Sequence, residues 1–332
     1  VTAPLWLREA DVRGLGVRRA VEALRSALLR EAAGQAAPLE KTYVALPGGG
    51  TLHALGAVFS ETGLCGVKAW AHTEGGATPL ELVWDTRSGR LLAAIEAFAL
   101  GQLRTSAIAG VATAVLAAPD ADELALCGTG RQSVAQVAAV AAVRPLARVR
   151  VFGRDGARRE AALARVRDEL GLAAEGYDDV DKAVAGAPIV TLVTRAREPF
   201  LRAGALARGA HLNALGAITP ERREFEPALL ERCGAIAVDH VAQARQLSSE
   251  LIAAFGDGPG WSRVRPLSEW VAACSGRPAG ADLTLFKSLG TGIADLAIAE
   301  EVLRRARERG FGTPLPVPEP RPLRFAPGGA TE

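Results

Sequence analysis

The chain is 332 residues long, which at ~150 residues per domain points to about two domains. With 49% hydrophobic and 23% charged residues it has an ordinary globular composition, which excludes disorder as the main state. Lys and Arg number 39 against 37 Asp and Glu, and the resulting net charge of +2 lacks the clustered basic excess of a nucleic-acid binder. No apolar run reaches the ~18 residues of a membrane-spanning helix, so no membrane partner is expected. The start, Val1 to Trp6 followed by Arg8, Glu9 and Asp11, lacks the order of a secretion signal. Cys65, Cys127, Cys233 and Cys274 are far apart and form no CxxC pair. That argues against a metal site or a disulfide framework and makes a reducing cytoplasm the expected setting. Methionine is absent, and nothing in the sequence accounts for it.

Asp11 to Ala33 reads as one amphipathic helix, with Val17, Val21, Leu24, Leu28 and Leu29 at helical spacing between Arg18, Arg25 and Arg30. Thr42–Leu46 and Thr51–Leu55 read as strands joined by a Gly-rich turn, Pro47 to Gly50, and Gly66–Trp70 as a third strand. Leu80–Trp84 and Leu91–Ile95 flank a hairpin-type connection that ends near Gly89. Leu100 to Ala118 is Ala-rich and helical, and Pro119 closes it. Beyond it the pattern alternates. Leu124–Cys127, Val149–Phe152, Ile189–Val193, His211–Leu215 and Ile236–Asp239 are strand candidates, with helices over Val134–Val143 and Ala157–Leu170. Such alternation means a parallel sheet covered on both faces. The fold class is therefore α/β: a Rossmann-type doubly wound parallel sheet over 119–289, preceded by an α+β domain with antiparallel strands over 1–118. A last helix, Ile293 to Arg309, ends at Gly310 and is assigned with 290–312 to the first domain. The Pro-rich tail, 313–332, reads as extended or disordered.

Gly128-Thr129-Gly130-Arg131-Gln132-Ser133 follows a strand and opens a helix, as a dinucleotide fingerprint requires. Gly128 permits the tight turn, Gly130 lets the backbone approach a pyrophosphate, and Ser133 takes the third small position. The helix N-terminus offers free N–H groups to phosphate. An ordinary strand-to-helix turn is the plain alternative. The next strand ends Phe152-Gly153-Arg154-Asp155, with Arg158 and Arg159 one turn on. Arginine can grip a 2′-phosphate with its fork, which favours NADP(H). Asp155 keeps NAD(H) as the alternative, since a carboxylate there would hold the ribose hydroxyls.

Gly66-Val-Lys68, Leu103-Arg104-Thr105-Ser-Ala107, Gly128-Thr-Gly130-Arg-Gln132, Asn213-Ala-Leu-Gly216 and Phe286-Lys-Ser-Leu-Gly290 followed by Asp295 occur in one order and spacing. Together they resemble the ornithine cyclodeaminase/mu-crystallin family over about residues 38 to 312. The resemblance implies a homodimer, a nicotinamide cofactor on the Rossmann domain, and a substrate-binding and dimerisation domain built from the N-terminal segment and the C-terminal helix. It implies that Arg104 holds a substrate carboxylate and that Lys68 is the active-site lysine. Lys41 stands where many relatives carry a second carboxylate-binding arginine. By the same resemblance, Thr105, Gly128, Thr129, Gly130, Arg131, Gln132, Gly153, Arg154, Asp155, Thr191, Val193, Ser288, Leu289 and Gly290 are the cofactor contacts. The cyclodeaminases carry an aspartate where this chain has Ile218, which departs from their pattern. His53 lies where they place a glutamate. It reads as a proton donor, with a half-buried sheet histidine as the plain alternative and His72 as its rival.

The reading is an NAD(P)H-dependent oxidoreductase acting on the C=N bond of a small imino acid, foremost Δ1-pyrroline-2-carboxylate to L-proline. Ornithine cyclodeaminase, an alanine-type amino acid dehydrogenase and a non-catalytic binding protein like mu-crystallin are the alternatives.

Overall fold

The computed structural model describes residues 3–317 and 322–323. It contains two eight-stranded sheets, one largely antiparallel and one wholly parallel. The first half of the chain runs β1 (Leu5–Leu7), α1 (Glu9–Arg13), α2 (Val17–Ala32), β2 (Ala36–Ala45), β3 (Thr51–Phe59), β4 (Leu64–Thr73), β5 (Gly76–Ala77), β6 (Leu80–Asp85), β7 (Leu91–Glu96) and α3 (Phe98–Leu116). The single helix expected over Asp11 to Ala33 is two. Gly14 to Gly16 breaks it, and Gly16 sits at φ +77°, a conformation that glycine adopts freely. The strands β2 and β3 extend well beyond the expected spans, and β1 pairs in parallel with β7.

The second half runs β8 (Glu123–Cys127), α4 (Ser133–Ala141), β9 (Arg148–Phe152), α5 (Gly156–Leu170), β10 (Ala173–Tyr177), α6 (Val180–Val184), β11 (Ile189–Leu192), β12 (His211–Ala214), β13 (Cys233–Val238), α7 (Val241–Leu247), α8 (Ser249–Phe255), β14 (Val264–Pro266), α9 (Leu267–Ala273) and β15 (Leu283–Lys287). The chain closes with α10 (Gly292–Arg309) and β16 (Thr313–Pro314). The parallel sheet has the order β10-β9-β8-β11-β12-β15-β13-β14. Strand order reverses between β8 and β11, which is where open α/β sheets bind ligands at their carboxyl ends. Five strands were expected here; β10, β14 and β15 are additional. Pro-rich sequence does not prevent β16, which pairs with β1 at the sheet edge, where proline is tolerated. The rest of the expected tail, apart from 315–317 and 322–323, lies outside the described residues.

Helix α3 is the central element. It is long and apolar enough to cross a membrane by length and composition, contrary to the sequence expectation, but 67% of that stretch is packed inside the protein. It is a core helix. Gly110 lets α2 and α4 close on it: a Cβ there would stand 3.0 Å from both Val21 Cγ2 and the Ala139 carbonyl oxygen. Both helix ends are satisfied from far along the chain. The Glu9 carboxylate accepts from the Phe98 and Ala99 N–H groups, each at 2.7 Å. At the other end, Arg144 donates to the carbonyls of Thr113, Ala114, Ala117 and Ala118. These partners fill the orphan groups of a helix and complement its dipole. Helix α10 lies against α2, α3 and the antiparallel sheet. Its first turn is pressed onto β3, since a Cβ on Gly292 would collide with the Gly56 carbonyl.

Candidate active site

The loop after β8 has the shape of a phosphate cradle. Gly128 stands at φ +123°, and a Cβ there would come 2.7 Å from the Val193 carbonyl oxygen, so the turn admits glycine alone. Gly153, at the end of β9, is equally crowded: its Cβ would stand 2.6 Å from Thr129 Cγ2. Gly130 has open space where a side chain would be. Ser133 pins the turn, donating from its N–H (3.0 Å) and hydroxyl (2.7 Å) to the Gly130 carbonyl. The residues present thus fit a dinucleotide: a glycine turn without side chains, at the switch point, opening a helix.

The other expected cofactor residues are distributed unevenly. Arg131 is exposed, with its guanidinium 5.3 Å above the Phe98 ring, and Gln132 is half-buried beside it. Thr105 spends its hydroxyl on the Gly101 carbonyl of its own helix. Thr191 is fully buried, and its hydroxyl accepts from Asn213 Nδ2 at 3.5 Å. Arg154 and Asp155 are exposed at the tip of β9. Asp155 caps α5, accepting the Arg158 N–H at 3.0 Å. The Ser288–Gly290 loop is gathered by one carboxylate: Asp239 Oδ2 accepts from the Ser288 hydroxyl and from the Leu289 and Gly290 N–H groups, at 2.9, 2.8 and 2.5 Å.

That loop touches the expected substrate residues. A Cβ on Gly290 would stand 3.2 Å from Arg104 Nη1, so the guanidinium lies flat against the glycine. Arg104 Nε is 3.4 Å from Asp295 Oδ1, and the guanidinium makes no hydrogen bond among the described residues. Asp295, in the first turn of α10 where the helix dipole favours an anion, accepts from Lys68 Nζ on β4. Lys68 and Asp295 are both buried. Burial lowers the affinity of Lys68 for its proton, and Asp295 opposes that shift. Lys41, on β2, is pulled below the usual lysine range by burial and then by the positive charge of Arg104, with Lys68 adding to it. Lys68 and Arg104 therefore meet at Asp295, beside the loop that carries Gly290, and Lys41 on β2 feels the charge of both.

His53 stands one ring away. It stacks on Trp70, with centroids 4.7 Å apart, and Lys68 Nζ lies 5.3 Å from the same Trp70 ring. Its Nε2 is 2.6 Å from the Thr51 hydroxyl. Burial, then Lys41 and His72, push its pKa down, which empties the acid form a proton donor needs. His72 is exposed at the far end of β4. His211 is wholly buried in the parallel sheet, where burial holds its pKa down to about 3.

Five buried acids, Glu81, Glu224, Asp239, Glu250 and Asp295, were not assigned a role by sequence. Asp295 carried only a motif position; the signal was an acid inside the apolar run Gly292–Ala299. Glu224 ties the loops after β11 and β12 together, accepting from Thr194 N and Oγ1 and from the Gly216 and Ala217 N–H groups. Glu81, on β6, is fully buried and points at the site from the antiparallel sheet. Its alternation with Leu80, Leu82 and Trp84 suggests an outward face.

The model of the Ornithine cyclodeaminase/mu-crystallin family matches residues 10–310. Among curated relatives, the chain is 29% identical to a Delta(1)-pyrroline-2-carboxylate reductase of Bacillus cereus over 70% of this chain and 72% of that one. Alignments with the first curated relatives span 65% to 72% of those relatives' lengths. Among solved structures, that of Thermococcus litoralis Delta(1)-pyrroline-2-carboxylate reductase in complex with NADH and L-proline has a TM-score of 0.87 at 25% identity. It covers 94% of this chain and 100% of that one. An archaeal alanine dehydrogenase dimer with bound NAD gives the same TM-score and identity, covering 95% and 99%. The chain belongs to the ornithine cyclodeaminase/mu-crystallin family.

Proposed function

We propose that the protein is an NAD(P)H-dependent reductase of small imino acids, that its substrate is the cyclic ketimine Δ1-pyrroline-2-carboxylate, and that its product is L-proline. The observation that carries this reading is the Arg104 guanidinium. It lies against Gly290 with no hydrogen bond of its own among the described residues, next to a buried lysine. Two parallel N–H donors match one planar carboxylate in place and in orientation. When all three basic side chains are protonated, Lys41, Lys68 and Arg104 exceed Asp239 and Asp295 by one positive charge, which suits a monocarboxylate. The named relatives that act on imino acids with a nicotinamide support the same chemistry.

In this mechanism the Gly128–Ser133 turn and the Ser288–Gly290 loop would hold the cofactor. When bound, the nicotinamide supplies a hydride to the C=N carbon. Arg104 fixes the carboxylate and thereby the ring. Lys68 donates a proton to the imine nitrogen, which makes the carbon a better acceptor. Asp295 keeps Lys68 charged until then. His53 holds the Trp70 face and is less suited to the proton-donor role than Lys68, given its lowered pKa. Ile218 carries no group that could activate water, which sets this reading above the cyclodeaminase.

NADPH is the proposed partner. The Asp155 carboxylate is already engaged as the cap of α5, while Arg154 and Arg158 remain exposed around it. The proposed assembly is a homodimer formed through the outer face of the antiparallel sheet. There Leu39, Val44, Leu52 and Val58 are exposed, continuous with half-buried Leu82 and Trp84. Its four free thiols suit a reducing, cytoplasmic setting.

The test is consumption of reduced nicotinamide by the purified protein. Δ1-pyrroline-2-carboxylate, its six-membered homologue, and pyruvate with ammonium are each offered with NADPH and with NADH. Turnover of a cyclic imine is expected, with NADPH preferred. Turnover of the keto acid and ammonium alone overturns the ketimine assignment in favour of an amino acid dehydrogenase.

A further inference from the structure

Glu81 is a buried acid for which this mechanism has no use. It sits directly opposite Lys68 in the register of β4 and β6. Facing residues of antiparallel strands hold their Cβ atoms ~4.5–5.5 Å apart, so the two side chains share one side of the sheet. The carboxyl occupies space that glycine vacates: a Cβ on Gly66 would stand 2.7 Å from Glu81 Oε1 and 2.9 Å from Leu296 Cδ1. Both Glu81 oxygens are buried and without a hydrogen-bond partner among the described residues.

The charged groups around it are Lys68 on β4, Asp295 on α10, and beyond them Arg104 on α3. Asp295 already matches the Lys68 charge through a direct hydrogen bond. A second ionised carboxylate in the same dry space would stand against Asp295 with no donor to satisfy it. Burial and then Asp295 push the Glu81 carboxyl well above the usual carboxylate range, and Lys68 offsets only part of this. A protonated acid thus faces the one basic side chain whose proton the mechanism spends.

We propose that Glu81 is a positioning residue that recharges Lys68, passing its carboxyl proton to Nζ after Lys68 has protonated the substrate nitrogen. The inference rests on the imine-reduction reading. In the first transfer an Nζ–H bond breaks as the N–H bond of the product forms; the hydride that completes the reduction at carbon is what a bound reduced nicotinamide would supply. In the second, the Glu81 O–H bond breaks as Nζ–H re-forms. The free amine becomes an ammonium between two carboxylates, Glu81 and Asp295, and the net negative charge of that trio is what draws a proton back to Glu81. Water returns a proton to Glu81 once the product leaves. The positive excess that attracts the next carboxylate is then restored.

Glu81→Gln keeps the shape and polarity but has no proton to give. Two measurements on the full-length protein test the proposal. The infrared difference between wild type and E81Q at neutral pH, without substrate, should show the loss of one protonated-carboxyl C=O band. With Δ1-pyrroline-2-carboxylate and NADPH, kcat of E81Q should fall about tenfold to hundredfold, with KM and melting temperature little changed. Glu81→Asp, which retains an acid at shorter reach, should recover part of kcat, and it is the variant to assay should E81Q melt early. No carboxyl band lost, or an E81Q kcat within about twofold of wild type, overturns the relay. A wild type that reduces no imino acid overturns the reading itself and the relay with it. A wild type that does so beside an unaffected E81Q removes the relay alone.

Discussion

Replacing Asp295 by Asn removes the counter-charge of a buried lysine while keeping the shape of the side chain. The cost can be worked from the ionisation of Lys68. An unpartnered ammonium at that depth gives up its proton, so the loss is capped by the work of neutralising the lysine. From an ordinary value of 10.5, that is three and a half units at neutral pH, or about 5 kcal/mol. Glu81 complicates the single variant. Asp295 is one of the two causes that keep it protonated, so without Asp295 it can ionise and pair with Lys68 in its place. Asp295→Asn alone should therefore cost distinctly less than the cap. Asp295→Asn in the Glu81→Gln background should approach it, measured against E81Q. The sign with pH follows from linkage. In the double variant Lys68 is neutral when folded and charged when unfolded, so the unfolded state binds more protons and stability rises with pH up to the unfolded value. The penalty should shrink by about 1.4 kcal/mol per unit, to about 3 kcal/mol near pH 8.5. Urea unfolding of wild type, both single variants and the double variant at two pH values reads this directly. A penalty that does not change between them, or a single Asp295→Asn as costly as the double, would refute the placement of Lys68 between two exchangeable carboxyls.

Arg104→Lys keeps the charge and loses the fork. It should raise KM for the imino acid by roughly ten- to hundredfold, about 1.4–3 kcal/mol of lost charged hydrogen bonding, and steady-state kinetics check it. Arg154→Ser should cut the preference for NADPH over NADH at least about tenfold, read as the ratio of the two kcat/KM values. Val58→Asp, on the exposed outer face of the antiparallel sheet, should shift the proposed dimer to monomer in sedimentation. Arg144→Ala strips four carbonyls at the end of α3 and should lower stability by about 1.5–3 kcal/mol in urea unfolding.

Features that short-range chemistry dictates were legible in the sequence. The Gly128–Ser133 turn is one, because a left-handed glycine and a helix start are needed within a few residues. The termination of α10 at Gly310 is another. What lies in the middle of the parallel sheet was harder. The run Leu283–Lys287 is short and apolar, and only its neighbours β12 and β13 make it a strand. The break at Gly14–Gly16 was hidden because the apolar period continues on both sides of it.

The candidate site shows the same division more sharply. The family resemblance singled out Arg104, Lys68 and Lys41, but what Arg104 and Lys68 share is set by non-local contacts: β4 against α10, and α3 against the loop after β15. Glu81 is the extreme case. Period-two alternation turns Leu80, Leu82 and Trp84 to one face and Glu81 and Val83 to the other, and burial arithmetic alone would point the three large apolar residues inward. The fold does the opposite. Glu81 and Val83 are fully buried under α10 while Leu80, Leu82 and Trp84 are half-buried on the outside. A strand can carry its larger apolar side outward when that side is itself covered, and a carboxyl inward when a chemical task holds it there. The inverted alternation of β6 therefore links two proposals that otherwise share no residue: a second subunit against the outer face, and a proton held on the inner one.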